Sequence, residues 1–302
     1  MKTDGRRQSE NVEDRRGETA GGGGGGLRFP AGGIPGGRGG LGIVGLIIVV
    51  VLSLVFGIDL RQFLDPNALS SGDAVQTTSG EPYQETPEEA KRSAFARVVL
   101  ADTEDTWTGL FRSAGQQYRL PTLVLFRSAV DSGCGFAQSA AGPFYCPSDQ
   151  KVYLDLSFLD EMSGKLGAGG DFAVAYVIAH EIGHHVQTLL GISDKVSAER
   201  ANASEAEANA LSVKLELQAD CLAGVWANNS EKQNKMLEAG DIEEAMNAAA
   251  AVGDDRLQKN ARGYVVPESF THGTSAQRAK WFKQGLQTGD MNKCDTFGAP
   301  SL

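Results

Sequence analysis

The sequence predicts an α+β domain, mainly helical with a small sheet, that is preceded by a single transmembrane helix. Three observations lead to this prediction: long runs with the apolar spacing of helices, two short apolar stretches typical of strands, and one uncharged apolar segment in the N-terminal region. The chain has 302 residues, which is enough for a sizeable core. Its net charge of −10 argues against a protein that binds nucleic acid by neutralising phosphates.

The N-terminal region divides into three predicted parts. Residues 1–40 contain the run Gly21–Gly26 and are predicted to be a disordered cytoplasmic tail, because this composition buries too little apolar area to offset chain entropy. Residues 41–58 carry no charge. As a helix they would span roughly 27 Å, close to the hydrocarbon thickness of a bilayer. Residues 59–85 are polar and predict a stalk, which leaves residues 86–302 as the folded domain.

A buried core helix and a cleaved signal peptide are the alternatives for residues 41–58. A core helix usually shows periodic polar positions, and a signal peptide lies nearer the N-terminus and ends in a small-residue cleavage site. Arg28 and Arg38 precede the segment, with further arginines at positions 6, 7, 15 and 16, whereas Arg61 stands alone just after it. The positive-inside rule therefore predicts a cytoplasmic N-terminus and a folded domain in the periplasm or outside the cell.

Capping residues and periodicity predict the elements of this domain. Thr86, Pro87 and Glu89 form a capping-box pattern ahead of a helix that continues to about residue 115. Asp171 is the predicted N-cap of a later helix. The other predicted elements are strands over residues 123–126 and 152–158 and helices over residues 171–190, 203–228 and 275–287.

All four cysteines follow the apolar segment. Their number is even, and a domain outside the cytoplasm is in a setting where disulfides persist. Three pairings are possible, of which we favour Cys134 with Cys146 across a short loop and Cys221 with Cys294. Free buried thiols are the alternative.

The helix predicted over residues 171–190 contains the sequence His180-Glu181-Ile182-Gly183-His184. Two histidines four residues apart lie on one helix face, so their imidazoles can reach one Zn²⁺ at about 2.0–2.1 Å. Glu181 projects beside that face and can take a proton from a water molecule on the metal. Gly183 is small and is expected to leave room above the site. The sequence therefore predicts one Zn²⁺ per chain.

A site with two histidines needs another protein ligand, which in one class of zinc peptidases is a glutamate on a second helix. Glu216 and Asp220 lie four residues apart in the helix predicted over residues 203–228 and share a face. If Glu216 reaches the metal, Asp220 can accept the distal N–H of a ligand histidine and fix its tautomer. A solvated helix carboxylate is the alternative for Glu216. The surrounding residues are apolar, however, and a carboxylate pair in such a setting favours a bound cation.

Several stretches resemble one known family: MKTDGRRQSENVEDRRG, CGFAQSAAGPFYCPSDQKVYLDLSF, HEIGHHVQ and ELQADCLAGVW. With the glycine linker and the apolar segment, they are similar to the neutral zinc metallopeptidase family of bacterial membrane proteins over nearly the whole chain. HExxH followed by ExxxD also resembles the gluzincins. The resemblance implies a zincin-like fold with His180, His184 and Glu216 as zinc ligands, Glu181 as general base and Asp220 as the partner of a ligand histidine.

The oxyanion that forms during peptide hydrolysis needs a donor besides the metal. His272 loosely resembles the downstream histidine that assists the oxyanion in some gluzincins, and Arg278 or Tyr153 could serve instead. A structural role, in which His272 caps or braces the following helix, is equally compatible with the sequence. His185 lies about 100° around the helix from His184 and is predicted to be structural or on the surface.

The sequence thus predicts a membrane-anchored, zinc-dependent endopeptidase whose partners are a protein or peptide substrate and a membrane. In this hypothesis Glu181 activates a zinc-bound water for attack on the peptide bond. The alternative is a catalytically inactive, membrane-tethered scaffold or assembly factor with a structural zinc site. Such a site would require a fourth protein ligand and would not need Glu181.

Overall fold

The computed structural model describes residues 1–18, 83–138, 142–158 and 169–302. The strands in these residues are β1 (Val12–Asp14), β2 (Thr122–Phe126), β3 (Ala129–Ser132), β4 (Gly135–Gln138), β5 (Phe144–Cys146) and β6 (Lys151–Asp155). A four-stranded sheet has the order β1-β2-β6-β5, in which β5 is an antiparallel edge strand and the other three strands are parallel. Strands β3 and β4 form a separate antiparallel hairpin.

The described helices are α1 (Pro87–Ser113), α2 (Asp171–Leu189), α3 (Ile192–Arg200), α4 (Glu205–Asn234), α5 (Asp241–Ala251), α6 (Asp254–Arg262) and α7 (Ser275–Thr288). Two short 3₁₀ turns, Pro267–Ser269 and Met291–Lys293, follow α6 and α7. The domain is therefore mixed α/β, mainly helical with a small sheet, as the sequence predicts. Its main core joins one sheet face to α1, α2 and α4, and Phe172 of α2 stacks on Trp226 of α4 with ring centroids 5.8 Å apart.

The predicted capping box at the start of α1 is confirmed. The Thr86 hydroxyl accepts from the Glu89 N–H at 3.2 Å, and the Glu89 carboxylate accepts from the Thr86 N–H at 3.0 Å. These bonds satisfy two of the N–H groups that have no partner within the helix. Capping boxes of the same kind begin two further helices, at Ser204 for α4 and at Thr274 for α7.

Helix α2 begins differently, and the prediction of Asp171 as its N-cap is wrong. The capping position is Gly170, at φ +121°, and no side chain there caps the helix. Instead, the Glu244 carboxylate of α5 accepts from the Phe172 N–H at 3.0 Å. The backbone angle favours glycine at position 170, and a Cβ there would lie 2.2 Å from the Glu244 carboxyl group and displace this cap. Local sequence could not predict a cap that comes from another helix.

The second predicted strand is shorter than expected. Strand β6 ends at Asp155, whose carboxylate accepts from the backbone N–H groups of Ser128 and Ser157 at 2.7 and 2.8 Å. These bonds replace ladder bonds and turn the chain away from the sheet. The three short strands β3, β4 and β5 were not predicted, because four residues or fewer give almost no periodic signal.

The structure contains both of the favoured disulfides. Cys134 pairs with Cys146, which ties the turn of the β3–β4 hairpin to the end of β5. Cys221 pairs with Cys294 and connects α4 to the C-terminal segment. The sequence has no further cysteine, so every thiol of the chain is paired.

The prediction of a disordered tail is wrong for residues 1–18. Strand β1 pairs in parallel with β2, with Val12 opposite Leu123. Ser9 and Asn11 both donate side-chain hydrogen bonds to the buried carboxylate of Glu104, at 2.6 and 2.7 Å. The prediction failed because it averaged over residues 1–40, whereas the glycine run and the Pro-Gly-Gly stretch at Pro35 lie after residue 18.

Residues 19–82 lie outside the described residues. They include the predicted transmembrane helix over residues 41–58 and nearly all of the predicted stalk. In the parts of the chain that are described, no helix combines the length and the hydropathy needed to cross a bilayer.

Candidate metal centre

Helices α2 and α4 cross at Gly183. A Cβ at this position would lie 3.0 Å from the carbonyl oxygen of Ala219 and 3.1 Å from its Cα. The glycine therefore makes room for the backbone of α4, which is a different role from the predicted one of leaving space above the site. This close approach brings Glu216 and Asp220 to the face of α2 that carries the two histidines of the HExxH motif.

His180, His184 and Glu216 converge as the sequence predicts. The His180 Nε2 lies 3.2 Å from one carboxylate oxygen of Glu216, and the His184 Nε2 lies 3.4 Å from the other. All three potential ligand atoms lie within 4.8 Å of one another. A tetrahedral zinc ion with bonds of about 2.0–2.2 Å holds its ligand atoms about 3.4 Å apart. Both the donor set and its spacing therefore fit Zn²⁺.

Asp220 lies behind His180 at the centre of a buried polar group. The His180 Nδ1 donates to the Asp220 carboxylate at 2.8 Å, so the Nε2 of that ring is the nitrogen that faces Glu216. Tyr176 also donates to Asp220 through its hydroxyl, and Arg278 donates to both carboxylate oxygens at 2.8 and 2.9 Å. Arg278 is thus engaged behind the histidine, which removes it as a candidate oxyanion donor.

His184 has a different partner, which sequence reasoning missed. Its Nδ1 lies 2.8 Å from the side-chain oxygen of Gln187, a fully buried residue on the same helix. Residues three apart are neighbours on a helix surface, so the spacing within HEIGHHVQ was a usable signal. Both candidate ligand histidines therefore have their Nδ1 hydrogen-bonded and their Nε2 directed toward Glu216.

Charges in the site strongly perturb the ligand groups. Burial by itself would lower the pKa of His180, but Asp220 and Glu216 outweigh it and raise that pKa to about 10. Burial opposes ionisation of Glu216 as well, yet the two imidazoles, with a further contribution from His272, hold its pKa well below the ordinary value. A carboxylate paired with two basic nitrogens is a site where a divalent cation can replace protons.

Glu181 lies beside this group and is also buried. Burial raises the pKa of Glu181, while the charges of His180 and His184 and a hydrogen bond from the Tyr145 N–H oppose that rise. Tyr145 belongs to the edge strand β5, so this strand runs next to the carboxyl group. A raised pKa makes a carboxylate a stronger base, which suits a group that accepts and returns a proton.

His185 has a structural role, as predicted, and is not on the surface. It is fully buried, its Nε2 donates to the carbonyl of Arg119 at 2.6 Å, and its Nδ1 accepts from the Tyr145 hydroxyl at 3.1 Å. Burial lowers the pKa of His185 to about 4, which keeps the ring neutral. His185 therefore attaches β5 to α2.

Tyr153 does not reach the site. It lies in a second apolar cluster, separate from the core that contains α2, where its ring stacks on Phe144 with centroids 4.7 Å apart. Its hydroxyl donates to Asp149 at 2.7 Å. Tyr153 is therefore excluded as an oxyanion donor.

His272 remains the candidate oxyanion donor among the three residues that the sequence suggested. Thr274 caps α7, so His272 does not cap that helix. Its Nδ1 lies 3.3 Å from the Asp254 carboxylate, and its side chain is half exposed. Burial lowers the pKa of His272, but Asp254 and the charge of Glu216 outweigh it and raise the pKa above the ordinary value. His272 is therefore within electrostatic range of Glu216.

These observations define a class of site: an HExxH helix, a glutamate from a second helix and a buried acid beside them, arranged as in zinc-dependent hydrolases. A family model described as "Putative neutral zinc metallopeptidase" matches residues 1–297, and the chain belongs to this family.

Similar bacterial proteins match most or nearly all of this chain. The chain is 51% identical over 298 residues to "Uncharacterized protein YpfJ" of Escherichia coli, with 99% of each chain covered. It is 41% identical over 260 residues to "Uncharacterized protein Rv2575" of Mycobacterium tuberculosis, with 83% of this chain and 86% of the relative covered. No solved structure matches.

Replacing Glu216 by Ala tests the third ligand. We expect zinc affinity to fall by more than the 10- to 100-fold that is typical when only a partner of a ligand is lost. Glu205→Ala, at an exposed position of the same helix, is the control and should bind one zinc ion per chain. Competition with a chromophoric chelator gives both affinities. Equal binding by the two variants would remove Glu216 from the ligand set.

Proposed function

We propose that this protein is a zinc-dependent endopeptidase, associated with a membrane through residues 41–58, that hydrolyses peptide bonds with water activated by Glu181. The position of Glu181 supports this most directly. It is a buried carboxyl beside the three residues that fit zinc, and it is not needed to bind the ion. The family of the chain supports the same class of activity.

Zinc held by His180, His184 and Glu216 would supply Lewis acidity, lowering the pKa of a bound water toward about 7 and polarising the scissile carbonyl. Glu181 accepts the proton of the attacking water on its carboxylate and then delivers that proton to the nitrogen of the departing amine. Asp220 keeps the His180 imidazole oriented through its Nδ1 atom.

His272 is the proposed donor to the developing oxyanion. Asp254 receives hydrogen bonds from the backbone N–H groups of Thr271, His272 and Gly273, at 2.8, 2.6 and 3.0 Å, and so fixes the loop that carries the histidine. With its Nδ1 directed to Asp254, the ring has its Nε2 available for the substrate. The raised pKa of His272 favours the protonated, donating form.

The edge strand β5 suggests how a substrate binds. It is the last strand in the sheet order and lies next to the catalytic carboxyl, because the Tyr145 N–H donates a hydrogen bond to Glu181. An extended peptide can add to an exposed strand edge through main-chain hydrogen bonds. We therefore propose that the substrate is an extended protein segment that lies along β5.

The inactive-scaffold hypothesis predicts a closed zinc site. Among the described residues, the group that could hold a metal ion has three side chains, whereas structural zinc sites usually have four protein ligands. A site with three ligands keeps a coordination position for water or substrate, which favours the hydrolytic hypothesis.

Replacing Glu181 by Gln separates catalysis from metal binding. We expect the variant to bind one zinc ion per chain but to cleave an unfolded protein such as casein at least about 10²- to 10⁴-fold more slowly, because the proton acceptor is lost. Glu205→Gln, at an exposed position of α4, should cleave normally. If the Glu181 variant cleaves as fast as the unchanged protein, the peptidase proposal is wrong.

Replacing His272 by Ala should lower kcat by about 10²- to 10³-fold while KM and zinc content change little, because an oxyanion donor acts mainly in the transition state. Steady-state kinetics on a fluorogenic peptide measure the two constants. Lys259→Ala, an exposed substitution on α6, is the control. An unchanged kcat would show that His272 only braces its loop.

A further inference from the structure

A chain of neutral hydrogen bonds leads from His184 to the C-terminal segment. Beyond its contact with His184, Gln187 donates through Nε2 to the carbonyl of Leu215 at 2.7 Å and to the side-chain oxygen of Gln218 at 3.1 Å. Gln218 in turn donates through its own Nε2 to the carbonyl of Cys294 at 2.9 Å. The two amides thus connect a candidate ligand on α2 with backbone on α4 and beyond α7.

The Cys294 carbonyl, at the far end of these hydrogen bonds, fixes which group donates and which accepts in each of them. A backbone carbonyl can only accept, so Gln218 must direct its NH₂ group to Cys294 and its oxygen to Gln187. Gln187 must then donate to Gln218 and Leu215, which leaves its oxygen for His184. That oxygen can accept only from a protonated Nδ1, so the Nε2 of His184 keeps the lone pair that faces Glu216. Reversing either amide would place two oxygens against each other.

Burial makes this arrangement costly to disturb. Gln187 is fully buried and Gln218 is 7% exposed, so bulk water cannot readily replace a lost partner. The final acceptor is fixed as well, because the disulfide ties Cys294 to Cys221, the residue that follows Asp220 on α4.

We propose that Gln187 is a positioning residue for the candidate metal centre and that it fixes the tautomer and the ring plane of His184, supported by Gln218 and the carbonyl of Cys294. The proposal rests on the metal binding described under the proposed function. It assigns to a neutral amide the task that Asp220 performs for His180.

Gln187→Met is the principal test, because methionine has a similar length and volume but accepts no comparable hydrogen bond. We expect zinc affinity to fall about 10- to 100-fold, as it does when other partners of ligand histidines are removed. Gln187→Glu keeps an acceptor for the Nδ1 proton. As a buried, protonated acid it also adds no charge and keeps an O–H donor for the Leu215 carbonyl, so it should bind zinc more tightly than the Met variant. Chelator competition gives the affinities, circular dichroism checks folding, and the visible spectrum of bound cobalt reports the ligand geometry.

Each outcome separates the positioning role from the metal site itself. If the unchanged protein binds no zinc, the proposed function fails together with this inference. If the unchanged protein binds zinc and the Met variant binds it as tightly, or if the Met and Glu variants are equally weak, Gln187 contributes only packing and the inference is wrong. Should Gln187→Met not fold, Gln218→Met breaks the same chain one bond further away. It should weaken zinc binding to a smaller extent, and unchanged affinity would overturn the inference.

A separate observation concerns the place where residues 1–18 meet the start of the main domain. The guanidinium of Arg16 lies 2.8 Å from the Glu85 carboxylate and 5.3 Å from the centroid of the Tyr83 ring. Residues 16 and 85, which lie on either side of residues 19–82 in the sequence, are therefore neighbours in space.

The four arginines that precede residue 19 have partners in the folded domain. Arg6 donates to the Asn234 carbonyl at 2.6 Å, and Arg7 donates to the Ala101 carbonyl at 2.8 Å. The other two make the following contacts: Arg15 with the Asp131 carbonyl and Arg16 with Asp14 and Glu85. Folding explains the presence of these four arginines, which leaves Arg28 and Arg38 as the arginines that support a cytoplasmic N-terminus.

We also infer that residues 1–18 and residues 83–302 lie on the same side of the membrane. The hydrocarbon core of a bilayer is about 30 Å thick, so a chain with the Arg16–Glu85 contact cannot have these residues on opposite sides. This inference replaces the orientation that the arginines predicted. The two disulfides favour the oxidising side for both parts.

Single cysteines in the full chain test this inference, since all native cysteines are paired. Gln8→Cys in the N-terminal segment and Lys259→Cys on α6 are exposed positions. Each is treated with a membrane-impermeant maleimide in intact cells and in inverted membrane vesicles. We expect both thiols to be labelled in the same preparation. Labelling of one in cells and the other in inverted vesicles would overturn the inference.

Discussion

The crossing of α2 and α4 determines the geometry on which the candidate metal centre depends. The backbones approach most closely where Gly183 meets Ala219. On one side of this point His180 bonds to Asp220, and on the other side Gln187 bonds to the Leu215 carbonyl. The register of the two helices is thus fixed on both sides of the crossing. A shift by one helical turn, about 5.4 Å, would break both contacts and remove Glu216 from the imidazoles.

The two histidines are held by partners of different charge, and this difference affects the charge balance of a buried site. Asp220 is an anion, but the guanidinium of Arg278 neutralises it. Gln187 is neutral. A zinc ion would therefore face two uncompensated carboxylates, those of Glu216 and Glu181, and the buried group would carry no net charge. An ionised carboxylate in place of Gln187 would add a negative charge that no other group balances, and such a charge is costly in a region with little water.

The residues of the site divide by how far apart their partners lie in sequence. His180 and His184, like Glu216 and Asp220, are related by four residues on a helix, so periodicity alone places each pair on one face. The partners of Asp220 and Gln218 lie at Arg278 and Cys294, on elements far along the chain. Nothing local indicates these contacts, because they depend on how α4 packs against α7 and the C-terminal segment.

That packing is itself set by two glycines that sequence reasoning could not assign. A Cβ on Gly224 would lie 2.1 Å from the Phe282 carbonyl oxygen, and a Cβ on Gly285 would lie 1.9 Å from the Cys221 carbonyl oxygen. The helices α4 and α7 therefore touch through backbone. The two helices run parallel along this contact. The close approach at the glycines therefore also brings Arg278 beside Asp220. In the sequence, a glycine within a helix indicates only a weaker helix, and its role appears once the partner helix is known.

The contacts of the N-terminal segment, residues 1–18, could not be predicted from composition either. A mean property such as glycine content reports whether a region can form a core of its own. Residues 1–18 do not need one, because their polar groups are matched individually to groups of the domain. Ser9 and Asn11 satisfy the buried carboxylate of Glu104, and β1 covers the edge of β2. Without the segment, that carboxylate would lose these partners and β2 would present an open edge, so the domain is complete only when the start of the chain is included.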